Sequence, residues 1–133
     1  LGLSDAQAKV RAFHQKFGVE APSSPAWPNS VSQVAIDRRC RWLSNELEEI
    51  HRARFLEDDN EFMAEVADGF IDIIYFALGG LVELGVDGGP LFDAVHAANM
   101  TKIKLPGVDK IAKPPGFVPP DIAALIEAQR TGK

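Results

Sequence analysis

The stretch Arg41–Asp72 reads RWLSNELEEIHRARFLEDDNEFMAEVADGFID. Glu46 and Glu49 stand three residues apart, a charged break (LEDDN) follows, and Glu65, Asp68 and Asp72 then recur at spacings of three and four. Residues three, four and seven apart share one face of a helix, so each half of the stretch carries an acidic flank. A short connection makes consecutive helices antiparallel neighbours. Two acidic flanks that meet form a cage of carboxylates, the oxygen donor set that hard divalent cations require. The expectation is a cage that holds metal ions, which in turn hold a nucleoside triphosphate. Like charges at this spacing cost an isolated helix only a few tenths of a kcal/mol, so one acidic flank alone is also what a solvated face looks like. Two on consecutive helices favour a site.

Outward from this stretch, Ile36, Cys40, Leu43, Leu47 and Ile50 alternate at four and three, the apolar stripe of a helix over about Ser30–Phe55. At about 100° per residue, Glu46 and Glu49 flank that stripe, with Arg39 and Trp42 on the same side. The next helix begins near Asp59 or Asn60, both good caps. Its stripe is Met63, Val66, Phe70, Ile73, Ala77 and Leu84, and Gly85 ends it. Upstream, Ser4 with Gln7 has the form of a capping box. Val10, Phe13 and Phe17 continue a first helix to about Phe17, stopped by Gly18. Val19–Asn29 holds three prolines and reads as an irregular loop. Its Trp27 suits either a core edge or stacking on a base. Downstream, Pro90 fits the first position of a fourth helix, about Pro90–Ile103. There Asn99 and Lys102 share a face suited to sugar and phosphate oxygens. Residues 105–120 read as irregular and basic, either a solvated tail or a flap over a polyanion. Asp121 caps a last short helix, Ile122 to about Arg130. No strand pattern persists, so the fold class is all-α.

The chain has 133 residues, the size of one domain with a real core. The net charge of −5 argues against a nucleic-acid binder, which shows a basic face. The single cysteine, Cys40, excludes an intrachain disulfide, and no Cys/His spacing suits zinc. The apolar run Ile73–Leu84 is too short to span a bilayer. A soluble, cytoplasmic protein without a membrane partner is expected. No P-loop, Rossmann glycine pattern or nucleophile elbow is present.

Taken in order, these elements resemble the all-α nucleoside triphosphate pyrophosphohydrolases of the MazG-like superfamily, which includes phosphoribosyl-ATP pyrophosphohydrolase and the dimeric dUTPases. The superfamily signature is ExxE, a spacer, then ExxD. Glu46-Leu-Glu-Glu49 supplies the first half. In the small single-domain branch an apolar run and VHxxNMxK follow, matched by DIIYFALGGLVELGVD and by Val95-His96-Ala-Ala-Asn99-Met100-Thr-Lys102. Phe13-His14 with Phe17-Gly18, and DKIAKPPGFVPPDI with Lys110 and Lys113, match further elements of that branch. One position departs. Aligned on Asp72-Ile-Ile-Tyr75, the ExxD glutamate falls on Gly69. Phage-like and integron-like members carry a similar DGxxD pattern, which favours Asp68 and Asp72 as ligands. The alternative takes Glu65-Val-Ala-Asp68 as the ExxD.

The resemblance implies a four-to-five-helix bundle, residues 1–133, completed by homo-oligomerisation as a dimer or a dimer of dimers. It implies two or more Mg²⁺ ions, with Mn²⁺ able to substitute, on Glu46, Glu49, Asp68 and Asp72, with Glu65 in reserve. Glu46 or Glu49 orients or deprotonates a water that attacks the α-phosphorus, releasing pyrophosphate. Asn99, Lys102, Lys110 and Lys113 contact nucleotide and phosphates, and His14, Trp27 and Trp42 are candidates for the base pocket. The expected substrate is a (deoxy)nucleoside triphosphate, in a bacterium or a phage-infected host cell. The alternatives are phosphoribosyl-ATP and, from a different class, a non-catalytic helical metal-binding or oligomerisation module.

Overall fold

The computed structural model describes residues 2–25 and 33–132. Among them lie α1 (Leu3–Lys16), α2 (Gln33–Ala53), α3 (Asp59–Leu84), α4 (Gly88–Asn99), β1 (Ile103–Lys104), β2 (Ile111–Ala112) and α5 (Ile122–Arg130). The fold is an all-α bundle with one small ribbon. α3 is its axis: α2 and α1 pack on α3, α4 packs on α1, and α5 packs on α4. The expected start of the second helix at Ser30, and Trp27, lie outside the described residues.

Several ends form as their residues dictate. Asp58 accepts from the Asn60 amide at the head of α3, and Asp121 accepts from Ala124 at the head of α5. Gly18 and Gly85 take the left-handed conformation, at φ 69° and 70°, which lets each helix stop sharply. At Gly85 the reason is also spatial, because the Ser24 carbonyl occupies the place of a Cβ.

Three expectations are corrected. α1 is capped by Gly2, not Ser4: the Gly2 amide donates to Asp5 at 2.9 Å. Ser4 and Gln7 are spent on long-range bonds instead. Ser4 Oγ donates to Asp87 at 2.6 Å. The buried Gln7 donates to the Val86 carbonyl at 2.6 Å and accepts from the Gly88 amide at 2.8 Å. Gln129 of α5 closes on the same elbow, accepting from the Asp87 amide at 2.8 Å and donating to its carbonyl at 2.9 Å. Second, Asp87 caps α4, so Pro90 is its third residue, where its missing N–H is still not needed by the helix. α4 turns 118° away from α3 and ends at Asn99, leaving Lys102 beyond it. Third, the segment after α4 is not wholly irregular. Ile103 pairs with Ala112 and Lys104 with Ile111 in an antiparallel ribbon.

The core is Val10, Leu78 and Val82, backed by Leu3, Ala6, Ala21 and Leu81. The apolar stripes of α2 and α3 only partly turn inward. Leu43, Ile50, Val66 and Ile73 are half-buried, whereas Ile36, Cys40, Leu47, Met63 and Phe70 are exposed. The buried residues of α2 are Arg39 and Ala53, each at 8% exposure. No single helix among the described residues is long and apolar enough to cross a membrane.

Gly69 marks a close approach of α2 to α3, since a Cβ there would run into the Ile50 side chain. A side chain at 69 would therefore require Ile50 to shift. Gly69→Ala is expected to cost about 1–3 kcal/mol through overpacking, read as a lower urea midpoint. An unchanged midpoint would mean that Ile50 simply rotates aside.

Candidate active site

The antiparallel register of α2 on α3 follows from its contacts. Ile50 covers Gly69, the Trp42 and Phe76 ring centroids lie 5.7 Å apart, and Arg39 lies against Gly79. In this register Glu46 faces Asp72. Sequence spacing alone gave each helix an acidic flank; the packing brings the two flanks together.

Glu46 is the centre of the cluster. Its carboxyl is held above the usual 4.5, first by removal from water, then by the charges of Glu49 and Asp72, a side-chain hydrogen bond with Glu49, and the charge of Asp68. The half-buried Glu46 places Oε2 away from solvent with no hydrogen-bond partner among the described residues. A buried acceptor without a donor is costly, and an all-oxygen donor set around it suits a hard cation. Asp72 is half-buried, while Glu49 and Asp68 are exposed. Among the described residues, no group of three His, Cys, Asp or Glu side chains converges in the arrangement of a metal site. Glu65 is exposed. It shares an open groove of about 610 Å³ with Glu49, Arg52 and Glu61.

The raised Glu46 carboxyl has a sign that can be checked. The folded chain binds this proton more tightly than the unfolded chain. The group therefore stabilises the metal-free fold below its unfolded value, and that contribution is lost as pH rises through the raised value. With metal chelated, Glu46→Gln is expected to melt above the parent at about pH 7.5, with the difference closing towards about pH 4.5. A variant that melts lower at the higher pH would show that Glu46 is not strained there.

The remaining expected residues are spread over the fold. Trp42 is on α2, one turn before Glu46, and 38% exposed. His14 is buried, with Nδ1 donating to the Glu20 carbonyl at 2.9 Å. Asn99 is exposed at the end of α4. Lys102 and Lys113 both approach the Phe117 ring, with Nζ 5.9 and 5.5 Å from its centroid, a cation–π pairing. Lys110 is exposed, and its carbonyl closes the ribbon by accepting from the Leu105 amide at 3.0 Å.

Sequence reasoning missed the Arg39–Glu83 ion pair, in which Arg39 Nη2 donates to Glu83 Oε1 with both residues buried. It also missed Phe76 and Phe117. Their signal was faint: Glu83 looked like an interruption of an apolar run, and Phe76 looked like one more apolar residue. The glycine pair Gly79-Gly80 was the usable clue, because a Cβ at Gly79 would sit 2.5 Å from Arg39 Nη1.

The family model for phosphoribosyl-ATP pyrophosphohydrolase matches residues 10–99. That range holds α2, α3 and every acidic residue of the cluster. No curated protein matches the chain.

Proposed function

Since the chain belongs to the phosphoribosyl-ATP pyrophosphohydrolase family, of the all-α MazG-like superfamily, and so to the hydrolases of phosphoanhydride bonds, we propose that it is a metal-dependent pyrophosphohydrolase of (deoxy)nucleoside triphosphates. The products are a nucleoside monophosphate and pyrophosphate. The observation that supports this reading is Glu46 on the α2–α3 seam, its Oε2 buried and unpartnered and its carboxyl raised by burial and by the nearby charges of Glu49, Asp72 and Asp68.

Glu46, Glu49, Asp68 and Asp72 would hold two or more Mg²⁺ or Mn²⁺ ions, with Glu65 available at the adjoining groove. Bound there, the ions would neutralise phosphate charge and acidify water at the site. Glu49 is exposed and hydrogen-bonded to Glu46. It would take the proton of a water directed at the α-phosphorus, with Glu46 holding it in orientation. Lys102 and Lys113, gathered on Phe117, offer two cations to the leaving pyrophosphate, with Asn99 and Lys110 nearby in sequence. The net charge of −5 disfavours nucleic acid as a partner. The exposed apolar side chains of α2 and α3 support a homodimer or a dimer of dimers, since monomers rarely leave such faces open. Light scattering of the purified chain should give a multiple of 14.5 kDa, and a monomer would refute this.

A second reading, phosphoribosyl-ATP as substrate, is favoured by the family match itself. One experiment separates the two. The purified protein with Mg²⁺ or Mn²⁺ is offered each NTP and dNTP, dUTP included, and phosphoribosyl-ATP, with the products resolved by chromatography. Monophosphate plus pyrophosphate from one or two bases supports the first reading. Turnover of phosphoribosyl-ATP alone supports the second, and no turnover of any refutes both.

A further inference from the structure

Arg39 is a fixed charge in a slot that the sequence has cleared for it. Arg39 and Glu83 are 8% and 5% exposed and form an ion pair. Gly79 and Gly80 make room for the arginine: Cβ atoms there would lie 2.5 Å from Nη1 and 3.1 Å from Cδ, respectively. Buried ion pairs contribute little net stability compared with apolar residues of the same volume, so stability alone does not account for such a slot.

The geometry of the guanidinium indicates what it serves. Nη2 is fixed by Glu83, Nη1 donates to the Phe76 carbonyl at 2.9 Å, and Cζ lies 5.3 Å from the Trp42 ring centroid. One arginine therefore lies over the Trp42 ring and bonds to the backbone of Phe76, whose ring pairs with that of Trp42. That pair has a defined place. Trp42 is four residues before Glu46 and Phe76 is four after Asp72, so the rings stand one helical turn from the carboxylates along both helices. A nucleotide whose α-phosphate lies at the carboxylates extends its base, across the sugar, by about that much. Trp42 keeps 38% of its surface open, and the exposed Arg38, 5.5 Å from the ring, is the group that a base would displace.

We propose that the buried Arg39–Glu83 pair is a positioning device, which holds the Trp42 indole against Phe76 as the aromatic platform for the nucleotide's base. Base-on-aromatic stacking is tolerant of sequence, so the platform supplies base affinity, and Arg39 acts through Trp42 without touching the substrate. The inference rests on the proposed nucleotide substrate and deepens it.

The test needs neither metal nor turnover. The indole N–H resonance of Trp42 is followed by NMR while each common ribo- and deoxyribonucleoside monophosphate is added; the chain has two tryptophans, and Trp27→Phe assigns the signals. A saturable shift of the Trp42 resonance with at least one monophosphate is expected. Arg39→Lys and Glu83→Gln should raise that Kd roughly tenfold. They should raise KM for the matching triphosphate by the same factor, with kcat within about twofold. Inhibition by inorganic tripolyphosphate, which has no base, should not change. Should Arg39→Lys fail to fold, Glu83→Gln, which keeps the shape of its side chain, decides the same question. A Trp42 signal indifferent to every monophosphate overturns the proposal even if the parent enzyme turns over. A signal that shifts equally in parent and variants removes the positioning role. An absence of turnover in the parent would count against the catalytic reading, and the titration would still decide this one.

Discussion

Glu49→Gln is expected to lower kcat by about 10²–10⁴-fold, the range that a positioned general base contributes, with the fold intact. Glu49 is exposed, so the amide introduces no burial cost, and it keeps the side chain's shape while it no longer accepts a proton. The loss should appear in single-turnover release of pyrophosphate, and it should not be recovered by raising substrate concentration. Asp72→Asn should differ in kind. A half-buried carboxylate facing Glu46 contributes mainly to cation affinity, so part of its loss should return at high Mg²⁺. If Glu49→Gln fell less than about tenfold, well below the range for a general base, Glu49 would not be the base, and the role would pass to Glu46.

Arg39→Met is expected to cost about 3–5 kcal/mol, because it leaves Glu83 charged, buried and alone. The double variant Arg39→Met/Glu83→Leu should recover most of that loss, since an apolar pair of similar volume avoids the desolvation of both ions. Urea denaturation of the two single variants and the double variant closes the cycle. A double variant as unstable as the singles would show that the hydrogen bond to the Phe76 carbonyl, not the ion pair, holds α2 to α3 there.

The same pair shows where sequence reasoning stops. The two acidic flanks were legible because Glu46, Glu49, Asp68 and Asp72 stand at spacings of three and four, and the packing of α2 on α3 sets Glu46 against Asp72. The ends at Gly18, Gly85 and Asp121 were legible because each depends on one residue's own conformational preference. Ser4 and Gln7 misled for the opposite reason. Their capping spacing was real, yet their partners are Asp87, Val86 and Gly88, some 80 residues away, and nothing local reports a distant competitor. Arg39 was hidden likewise by its dependence on Glu83. Periodicity identified the apolar stripes correctly but not what they face. Ile36, Leu47 and Met63 belong to a continuous pattern, yet they lie open on this chain.

The elbow at Asp87 sets how the molecule breathes. Ser4 from the first helix and Gln129 from the last both bond to this one residue, so two segments at opposite ends of the described chain share one latch. The amides of Asp87 and Gly88, whose acceptors are side chains of Gln129 and Gln7, will exchange with deuterium only when that latch opens. They will therefore report the undocking of α1 and α5 as one cooperative event. Among the described residues, the exposed α2–α3 tip at 54–58 has no such latch and will exchange early. That tip adjoins the groove of Glu49, Leu56 and Glu65, so on the proposed reading the earliest-opening part of the seam would be the end at which a polyphosphate enters.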